Sequence, residues 1–197
     1  MKSCILTGVG GQGTILAAKL IAQTAMDKGL KVRTAETIGM AQRGGSVLSH
    51  VRVGKEIHSP LIPLGTADMI IAFEMAEAVR ALPYLKPDGY MVVSQKSIIP
   101  FTTSLSGAEY NGQEILSFLR SQVKQLTLLD TGGIAQLCGT EKVVNVALLG
   151  AVAALGVLDF TVGDMERALN HVLPEKIKAM NIKALHLGAE AARNKIR

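Results

Sequence analysis

The sequence predicts an α/β fold, Rossmann-like, in which a mainly parallel sheet is flanked by helices and followed by a helical C-terminal third. Three observations lead to this fold class. An apolar run at residues 4–7 enters a glycine-rich turn, and apolar residues at helical spacing follow over residues 14–28. A second strand is predicted at residues 31–34, and the order strand, turn, helix, strand is typical of a βαβ unit with parallel strands. From residue 133 onward the apolar pattern is helical.

The middle of the chain continues the alternation of strands and helices. Residues 46–53 alternate between two faces, which predicts a strand covered on one side. The other predicted elements are strands at 68–73, 90–94 and 126–130, a turn at 87–89, irregular segments at 36–45 and 98–112, and helices from 74 to about 84 and at 113–124, 134–138, 143–155, 165–172 and 176–193. Because no repeat or low-complexity linker interrupts the pattern, we expect residues 1–197 to form a single domain.

Composition excludes several classes of function. Hydrophobic residues make up 48% of the 197 residues and charged residues 19%, which indicates a folded chain. The formal charge is only +5, the basic residues are scattered and aromatic residues are 4%, so we expect no nucleic-acid partner. The longest apolar run, residues 143–158, contains Asn145 and Gly150 and predicts a buried helix rather than a membrane span. With no signal-peptide pattern at the N-terminus, we expect a cytoplasmic protein without a membrane partner.

The number and spacing of the cysteines limit the metal sites that this chain could form. The chain has two, Cys4 and Cys138, and neither belongs to a CxxC pair. An iron–sulfur cluster generally needs four thiolates, so this chain alone is not expected to hold one, and a zinc site is equally unsupported. The sequence therefore predicts no metal ligands.

The glycine turn is the first candidate site. Gly8-Val9-Gly10-Gly11-Gln12-Gly13 satisfies GxGxxG between a predicted strand and helix, where glycines let a pyrophosphate approach the backbone. Glu36, near the end of the second strand, stands close to where a ribose-binding carboxylate would lie. Three interpretations stay open: a nicotinamide or flavin nucleotide site, glycines that only allow close packing, and a turn that faces another phosphorylated ligand or a partner subunit.

Further motifs, spread over nearly the whole chain, carry a resemblance to a known family. They are Gln42-Arg43-Gly44-Gly45-Ser46, Val51-Arg52-Val53, Ser59-Pro60, Ala67-Asp68, Asn145 before Leu148-Leu149-Gly150, and Asn181-Ile182-Lys183-Ala184. In this order after the glycine turn, they make the chain similar to the gamma-type domain of pyruvate and other 2-oxoacid:ferredoxin oxidoreductases. At this length it most resembles the beta subunit of the indolepyruvate type.

The resemblance implies a heteromeric enzyme and a chain that is inactive alone. A large partner would carry thiamine diphosphate, Mg²⁺ and [4Fe–4S] clusters, and the complex would convert an aryl 2-oxoacid and coenzyme A into an acyl-CoA and CO₂ while reducing ferredoxin. The sequence agrees with this division, since it has no four-cysteine motif and no Gly-Asp-Gly with a downstream Asn. Gly163-Asp164-Met165 does not satisfy that thiamine diphosphate motif.

Candidate ligand-facing residues come from the two glycine motifs. Arg43 is the first, because a guanidinium on a turned backbone suits a carboxylate or phosphate. The others are Gly10, Gly11, Gln12, Gly13, Gly44, Gly45, Ser46 and Arg52, with Gln12 as an amide donor or acceptor. No residue is assigned a catalytic role.

Four neighbouring polar residues receive weaker expectations. His50 shares a strand face with Arg52 and is expected to be an ordinary histidine at the edge of the core. Glu74 is expected to cap the following helix, where its charge favours the helix dipole. Asn145 is expected to bind a backbone loop, because a polar side chain in an apolar helix needs a partner. Glu36 is left as a ribose candidate.

Three functions remain open from the sequence. The leading one is an oxidoreductase subunit that completes a substrate- or CoA-facing cleft. The second is an autonomous oxidoreductase that binds NAD(P) or FAD, with Glu36 as its distinguishing residue. The third is a non-catalytic assembly subunit, for which Arg43→Ala would leave turnover intact.

Overall fold

A six-stranded sheet with helices on both faces forms the fold. The computed structural model describes residues 1–37, 45–96 and 111–196, with side chains to residue 194. The strands are β1 (Lys2–Val9), β2 (Lys31–Glu36), β3 (Ser46–Gly54), β4 (Ala67–Ala72), β5 (Leu85–Ser94) and β6 (Gln125–Leu129). The α-helices described are α1 (Thr14–Asp27), α2 (Met75–Ala81), α3 (Gly112–Gln122), α4 (Thr131–Cys138), α5 (Val144–Leu155), α6 (Val162–Val172) and α7 (Glu175–Ile196). Most predicted boundaries are correct to within a few residues, and the C-terminal third is helical as predicted.

The order of the strands is β2-β3-β1-β4-β5-β6. The pairs β1–β4, β4–β5 and β5–β6 are parallel, whereas β3 pairs antiparallel with both β1 and β2. The prediction of a mainly parallel sheet is confirmed. However, β2 runs parallel to β1 without being its neighbour, because β3 lies between them. One face of β3, with Val47, Ser49, Val51 and Val53, is buried. On the other face His50 is buried and Leu48 and Arg52 are half-buried, so this face is covered to a greater extent than the expected strand covered on one side.

The two faces of the sheet bury separate cores. One face packs against α1 and the C-terminal helices, and the other packs mainly against α2 and α3. Helix α5 is apolar on nearly all sides and is buried over most of its length, as expected for a helix inside a core. It crosses α7 at two glycines, where a Cβ on Gly150 would lie 1.9 Å from the Leu185 carbonyl oxygen and a Cβ on Gly188 would lie 1.9 Å from that of Ala147.

A charged side chain ties three strands together at the amino edge of the sheet. Asp68 accepts a hydrogen bond from the backbone amide of Ser3 on β1 at 2.8 Å, and the Lys86 amino group on β5 lies 2.5 Å from its other oxygen. The predicted turn at residues 87–89 lies inside β5, as an irregularity in the register between the Ala67–Leu85 and Met69–Tyr90 pairs. The strand therefore begins before the turn that was expected to precede it.

Asp164 links α6 to α1. It forms a capping box with Thr161, whose backbone amide donates to the carboxylate at 2.8 Å. The Lys28 amino group lies 3.1 Å away, and Arg167 also donates to the same carboxylate. The hydrogen bond from the Thr161 backbone, together with Lys28, lowers the pKa of Asp164 from its ordinary value of 3.8 to about 2.

Within the described ranges, no single helix is both long enough and apolar enough to cross a membrane. The two segments Thr131–Cys138 and Glu141–Leu155 reach that length and apolar character only when taken together, and the chain bends by 120° between them.

Replacing Gly150 with Ala tests the crossing of α5 and α7. The added methyl group would meet backbone atoms of α7, which cannot move without separating the helices, so Gly150→Ala is expected to lower the free energy of unfolding by about 3 kcal/mol. Gly163→Ala is the control, because its nearest neighbour would lie 3.8 Å away in the first turn of α6. Urea unfolding checks both variants; equal effects would contradict a steric cause.

The lowered pKa of Asp164 predicts a pH-dependent contribution to stability. Because the folded-state pKa lies below the unfolded one, the contribution is present above about pH 4 and disappears as the pH falls through 2. We expect Asp164→Asn to cost on the order of 2 kcal/mol at pH 7 and almost nothing at pH 2. Urea unfolding at several pH values measures this, with Asp88→Asn as an exposed control. A cost that is independent of pH would contradict the electrostatic origin.

Candidate functional site

The candidate site lies at the carboxyl edge of the sheet, where the chain changes direction. From β1 the chain crosses first to β2 on one side, and later to β4 on the other side of β1. The loops after β1 and β4 therefore diverge at this point, and open α/β sheets bind ligands in the crevice that such a divergence leaves. The glycine turn follows β1, and Phe73 and Glu74 follow β4.

The Gln12 side chain joins these two loops. Its Oε1 accepts a hydrogen bond from the Val9 amide at 2.7 Å, and its Nε2 donates to the Phe73 carbonyl oxygen at 2.8 Å. A Cβ on Gly8 would lie 2.8 Å from the same Oε1, so a larger residue there would disturb the bridge. The amide predicted to face a ligand is thus engaged with two strands, and its contact with a ligand stays a prediction.

Gly13 ends the turn and begins α1 in the left-handed conformation, at φ 82°. It caps the helix without a side chain, so no side chain satisfies the first amides of α1. Asn145, at the start of α5, is buried and donates from Nδ2 to the Gly13 carbonyl oxygen at 3.4 Å. The prediction that Asn145 serves a backbone loop is confirmed, and that loop is the glycine turn itself.

The second glycine motif meets the first at the same edge. Ser46 is opposite Val9 in the ladder, and the Gly10 amide donates to the Gly45 carbonyl oxygen at 2.9 Å. The Ser46 hydroxyl lies 2.5 Å from an oxygen of Glu77, a buried carboxylate on α2 that also accepts from Arg80. The structure therefore brings the two motifs together.

Two predicted site residues have no structural description. Arg43 and Gly44 fall within residues 38–44, outside the described ranges. The role expected of the Arg43 guanidinium stays a prediction.

Arg52 lies at the other end of β3, opposite Ser3 near the start of β1. At strand spacing this places it about 20 Å from Ser46. Its guanidinium donates to the carbonyl oxygens of Ser59 and Leu61 at 3.1 and 3.2 Å and so holds the loop after β3. The structure therefore separates Arg52 from the glycine turn. Ser46 at the start of β3 pairs beside the turn, whereas Arg52 lies near the other end of the same strand.

His50 is an interior residue, as expected. Its Nδ1 accepts from the Ile62 amide at 3.2 Å, and its ring meets Tyr84 edge to face with centroids 5.6 Å apart. Burial lowers the pKa of His50 below its ordinary value. The prediction that Glu74 caps a helix is also confirmed, since its carboxylate accepts from the amides of Ala76 and Glu77.

Two cavities open on either side of the glycine turn. The lysine cavity, of about 390 Å³, lies towards β5 and is lined by Gly11, Gln12, Gly13, Leu16, Lys96, Glu141, Lys142, Val144 and Asn145. The Glu36 cavity, of about 360 Å³, lies towards β2 and is lined by Gly10, Gly11, Gly13, Thr14, Ile15, Glu36, Thr37 and Val47. Glycines of one turn thus form a wall of both cavities.

The lysine cavity contains residues that were not singled out from the sequence. Lys96 follows β5 and pairs with Glu141 at 2.7 Å, whereas no ion pair involving Lys142 is found within the described residues. The position of Lys96 directly after a predicted strand was the available signal. Glu77 could not have been singled out from the sequence, because its role depends on a contact with Ser46, on a strand distant in sequence.

The residues present do not fit a metal cluster held by this chain. Across the described ranges, no group of three or more His, Cys, Asp or Glu side chains could hold a metal ion. Cys4 is buried inside β1, and burial raises the pKa of its thiol, which opposes the thiolate form that metals bind. The Asp164 carboxylate is engaged by Thr161, Lys28 and Arg167.

Comparison with known sequences identifies relatives along nearly the whole chain. The family described as pyruvate ferredoxin/flavodoxin oxidoreductase matches residues 3–191. Proteins named indolepyruvate oxidoreductase subunit IorB are 38% identical over 189 residues in Archaeoglobus fulgidus (95% of this chain, 94% of the relative) and 34% identical over 191 residues in Pyrococcus horikoshii (96% and 95%). A protein named pyruvate/ketoisovalerate oxidoreductases common subunit gamma, from Pyrococcus abyssi, is 27% identical over 180 residues (90% and 89%).

Solved structures share the fold. The gamma subunit of a keto/oxoacid ferredoxin oxidoreductase from Geobacter sulfurreducens superposes with a TM-score of 0.73 at 23% identity, covering 98% of this chain and 99% of that one. A 2-oxoglutarate:ferredoxin oxidoreductase from Magnetococcus marinus gives 0.73 at 21% identity, over 98% of this chain but 31% of its own. The predicted fold class is thus confirmed, and in the second protein this fold is one part of a longer chain.

Gly13→Ala tests the contact between the glycine turn and α5. Gly13 and Gly29 both have positive φ, so alanine at either position should cost about 1 kcal/mol in backbone strain. At Gly13 the methyl group would also lie 2.5 Å from Asn145 Nδ2, whereas nothing lies within 4 Å at Gly29. We expect Gly13→Ala to cost at least 1 kcal/mol more than Gly29→Ala in urea unfolding. In an Asn145→Ala background the excess should disappear, so that Gly13→Ala then costs no more than Gly29→Ala; an excess that persists in that background would contradict the contact.

Proposed function

Because the chain belongs to the pyruvate ferredoxin/flavodoxin oxidoreductase family, we propose that it is the small subunit of a cytoplasmic indolepyruvate:ferredoxin oxidoreductase. In this proposal the complex converts an aryl 2-oxoacid and coenzyme A into an acyl-CoA and CO₂ and reduces ferredoxin. Two relatives above 30% identity are named as subunits of an indolepyruvate oxidoreductase, which supports the choice of substrate. We also propose that the 197 residues form a single domain.

The redox and decarboxylation groups are proposed to lie on a large partner subunit. This chain has two cysteines, one of them buried in β1, and its Gly-Asp-Met segment uses its aspartate in a capping box. These residues do not fit an iron–sulfur cluster or a thiamine diphosphate–Mg²⁺ site. Thiamine diphosphate, Mg²⁺ and [4Fe–4S] clusters are therefore assigned to the partner, with ferredoxin as the electron acceptor and coenzyme A as the co-substrate.

The proposal for this chain rests on one observation: both glycine motifs meet beside the lysine cavity. Two helices begin at that cavity: α1 after Gly13, and α5, whose first residues Val144 and Asn145 line it. The N-cap of α1 is a glycine without a side chain, so the first amides of α1 and the positive end of its dipole are available beside the turn. At the start of α5 the amides of Val144 and Val146 already donate to Glu141 and Asn145, so α5 contributes its side chains to the cavity wall. Lys142 adds a charge. The arrangement suits the carboxylate of a 2-oxoacid or a phosphate of coenzyme A.

The bonds beneath the cavity give the site its rigidity. Gln12 fixes the turn to β1 and β4, Asn145 fixes it to α5, and Gly45 fixes it to the second motif. An anion-binding turn that is already held in place pays little ordering cost when it binds. We propose that this edge completes a cleft whose other wall belongs to the partner, with Arg43 from the second motif facing the ligand.

Co-purification tests the subunit assignment. The tagged chain, isolated from its own cells, should bring down a large partner with iron, thiamine diphosphate and iron–sulfur absorbance. The isolated complex should reduce ferredoxin faster with indolepyruvate than with pyruvate or 2-oxoglutarate. A chain recovered without any partner would overturn the assignment, and equal rates with all three acids would overturn the choice of substrate.

Lys142→Ala and Arg43→Ala test the cleft within the assembled complex. Each is expected to lower kcat/KM for the 2-oxoacid or for coenzyme A by tenfold or more, because a charge-assisted contact is worth about 1.5–3 kcal/mol. Size-exclusion chromatography should show an intact complex. Lys124→Ala is the charge-matched control, because Lys124 is exposed and lies just before β6. Full turnover in both variants would favour a non-catalytic assembly subunit instead.

A further inference from the structure

Glu77 is a buried carboxylate that is not among the described residues lining either cavity. It is only 2% exposed, and a charged group removed from water is costly unless other groups bind it. Among the described residues its carboxylate has two partners, the Ser46 hydroxyl at 2.5 Å and the Arg80 guanidinium. Arg80 is an exposed residue of the same helix, whereas Ser46 begins β3. The bond to Ser46 is therefore the one that joins Glu77 to another element.

The start of β3 is held from two directions. The Gly45 carbonyl oxygen accepts a hydrogen bond from the Gly10 amide at 2.9 Å, and the hydroxyl of the next residue, Ser46, donates to Glu77. A hydrogen bond accepted by a carboxylate is stronger than one between neutral groups. The bond to Glu77 thus fixes the short piece of backbone that holds Gly10 in place.

These contacts close a ring at the carboxyl edge of the sheet. On one side of the ring, Gln12 Nε2 donates to the Phe73 carbonyl oxygen, and Phe73 directly precedes Glu74, the N-cap of α2. Glu74 in turn accepts from the Glu77 amide at 3.1 Å. On the other side, the Glu77 side chain leads through the start of β3 back to Gly10. Both ends of the glycine turn are therefore fixed relative to the same helix.

Stability alone gives little reason for a carboxylate at this position. The other buried residues of α2 are Met75, Ala78 and Ala81, and they pack in the core on their face of the sheet. Exchanging a buried charged pair for apolar residues of similar volume is often neutral or stabilising. What Glu77 adds is direction, because its oxygen holds the Ser46 hydroxyl at a defined distance from α2.

We propose that Glu77 is a positioning residue of the cleft. Through Ser46 and Gly45 it sets the position of the backbone at Gly10 and Gly11, and it does not touch the ligand. Gly10 lines the Glu36 cavity and Gly11 lines both cavities, so this backbone belongs to their common wall. The effect of Glu77 on turnover rests on the proposed function, whereas its effect on the backbone of the turn is a property of the chain alone.

Amide hydrogen exchange of the full-length chain, measured by NMR, tests the positioning directly. Glu77→Ala and Ser46→Ala should each speed exchange of the Gly10 amide by about fivefold relative to amides within β4, because its acceptor is no longer fixed. Glu77→Gln should restore most of the protection, since its side-chain oxygen still accepts from Ser46. Arg80→Ala is the matched control, because it removes the other partner of Glu77 and leaves the bond to Ser46. Unchanged exchange in Glu77→Ala, or an equal increase in Arg80→Ala, would overturn the proposal.

A double-mutant cycle in the assembled complex tests the consequence for the reaction. Glu77→Ala should lower kcat/KM for the 2-oxoacid or for coenzyme A by about tenfold, because a small displacement of a group that positions a ligand is costly. Ser46→Ala should do the same, and the double variant should lose no more than either single variant, since both remove one bond. Arg80→Ala should leave turnover unchanged.

Two results of the cycle would overturn the proposal. One is full turnover in Glu77→Ala, and the other is additive losses, which would mean that Ser46 and Glu77 act independently. A complex without activity towards any 2-oxoacid would instead refute the proposed function, and hydrogen exchange in the chain alone would still decide whether Glu77 positions the turn.

Discussion

The Gln12 bridge fixes the geometry on which the candidate site depends. The amide side chain satisfies the last amide of β1 and a carbonyl oxygen after β4, and these are the two loops that diverge at the carboxyl edge. Without this bridge, the backbone of a turn so rich in glycine would have a large conformational freedom. Asn145 supports the same turn from α5. Two side-chain amides, both reaching backbone groups, thus convert a flexible sequence into a fixed ridge with a cavity on each side.

The antiparallel strand β3 is the second determinant of this edge. By returning along β1 it brings Gly45 and Ser46 beside Gly10, which two parallel strands with their connecting helix would not do. It also moves the end of β2 away and so opens the Glu36 cavity. At its other end the same strand carries Arg52 to the loop after β3. The start of β3 therefore lies at the edge of the sheet with the two cavities, and its other end lies at the edge where Arg52 holds the following loop.

Local sequence determined most of the elements but not their arrangement. Apolar runs and glycines predicted the strands and the helical C-terminal third, and the lone polar Asn145 in an apolar run predicted its own role. The pairing of β3 between β1 and β2 could not be predicted, because the choice of a neighbouring strand depends on the whole sheet. For the same reason Arg52 was grouped with the glycine turn. Glu77 and Lys142 reach the site only through tertiary contacts, which single residues do not reveal, whereas Lys96 could have been found from its position after a predicted strand.

The opposite charges of the two cavities follow from where each wall originates. The lysine cavity is lined by residues that follow β5 and α4 and by the start of α5, and its charged residues are Lys96, Glu141 and Lys142. The Glu36 cavity is built from the end of β2, where the carboxylate is the charged group among the described lining residues. Between Gly10 and Gly13, the turn that divides the two cavities carries no side chain other than that of Gln12, and Gln12 is itself bonded to backbone groups of Val9 and Phe73. Backbone therefore forms most of the boundary between a cavity lined by two lysines and a cavity lined by one carboxylate.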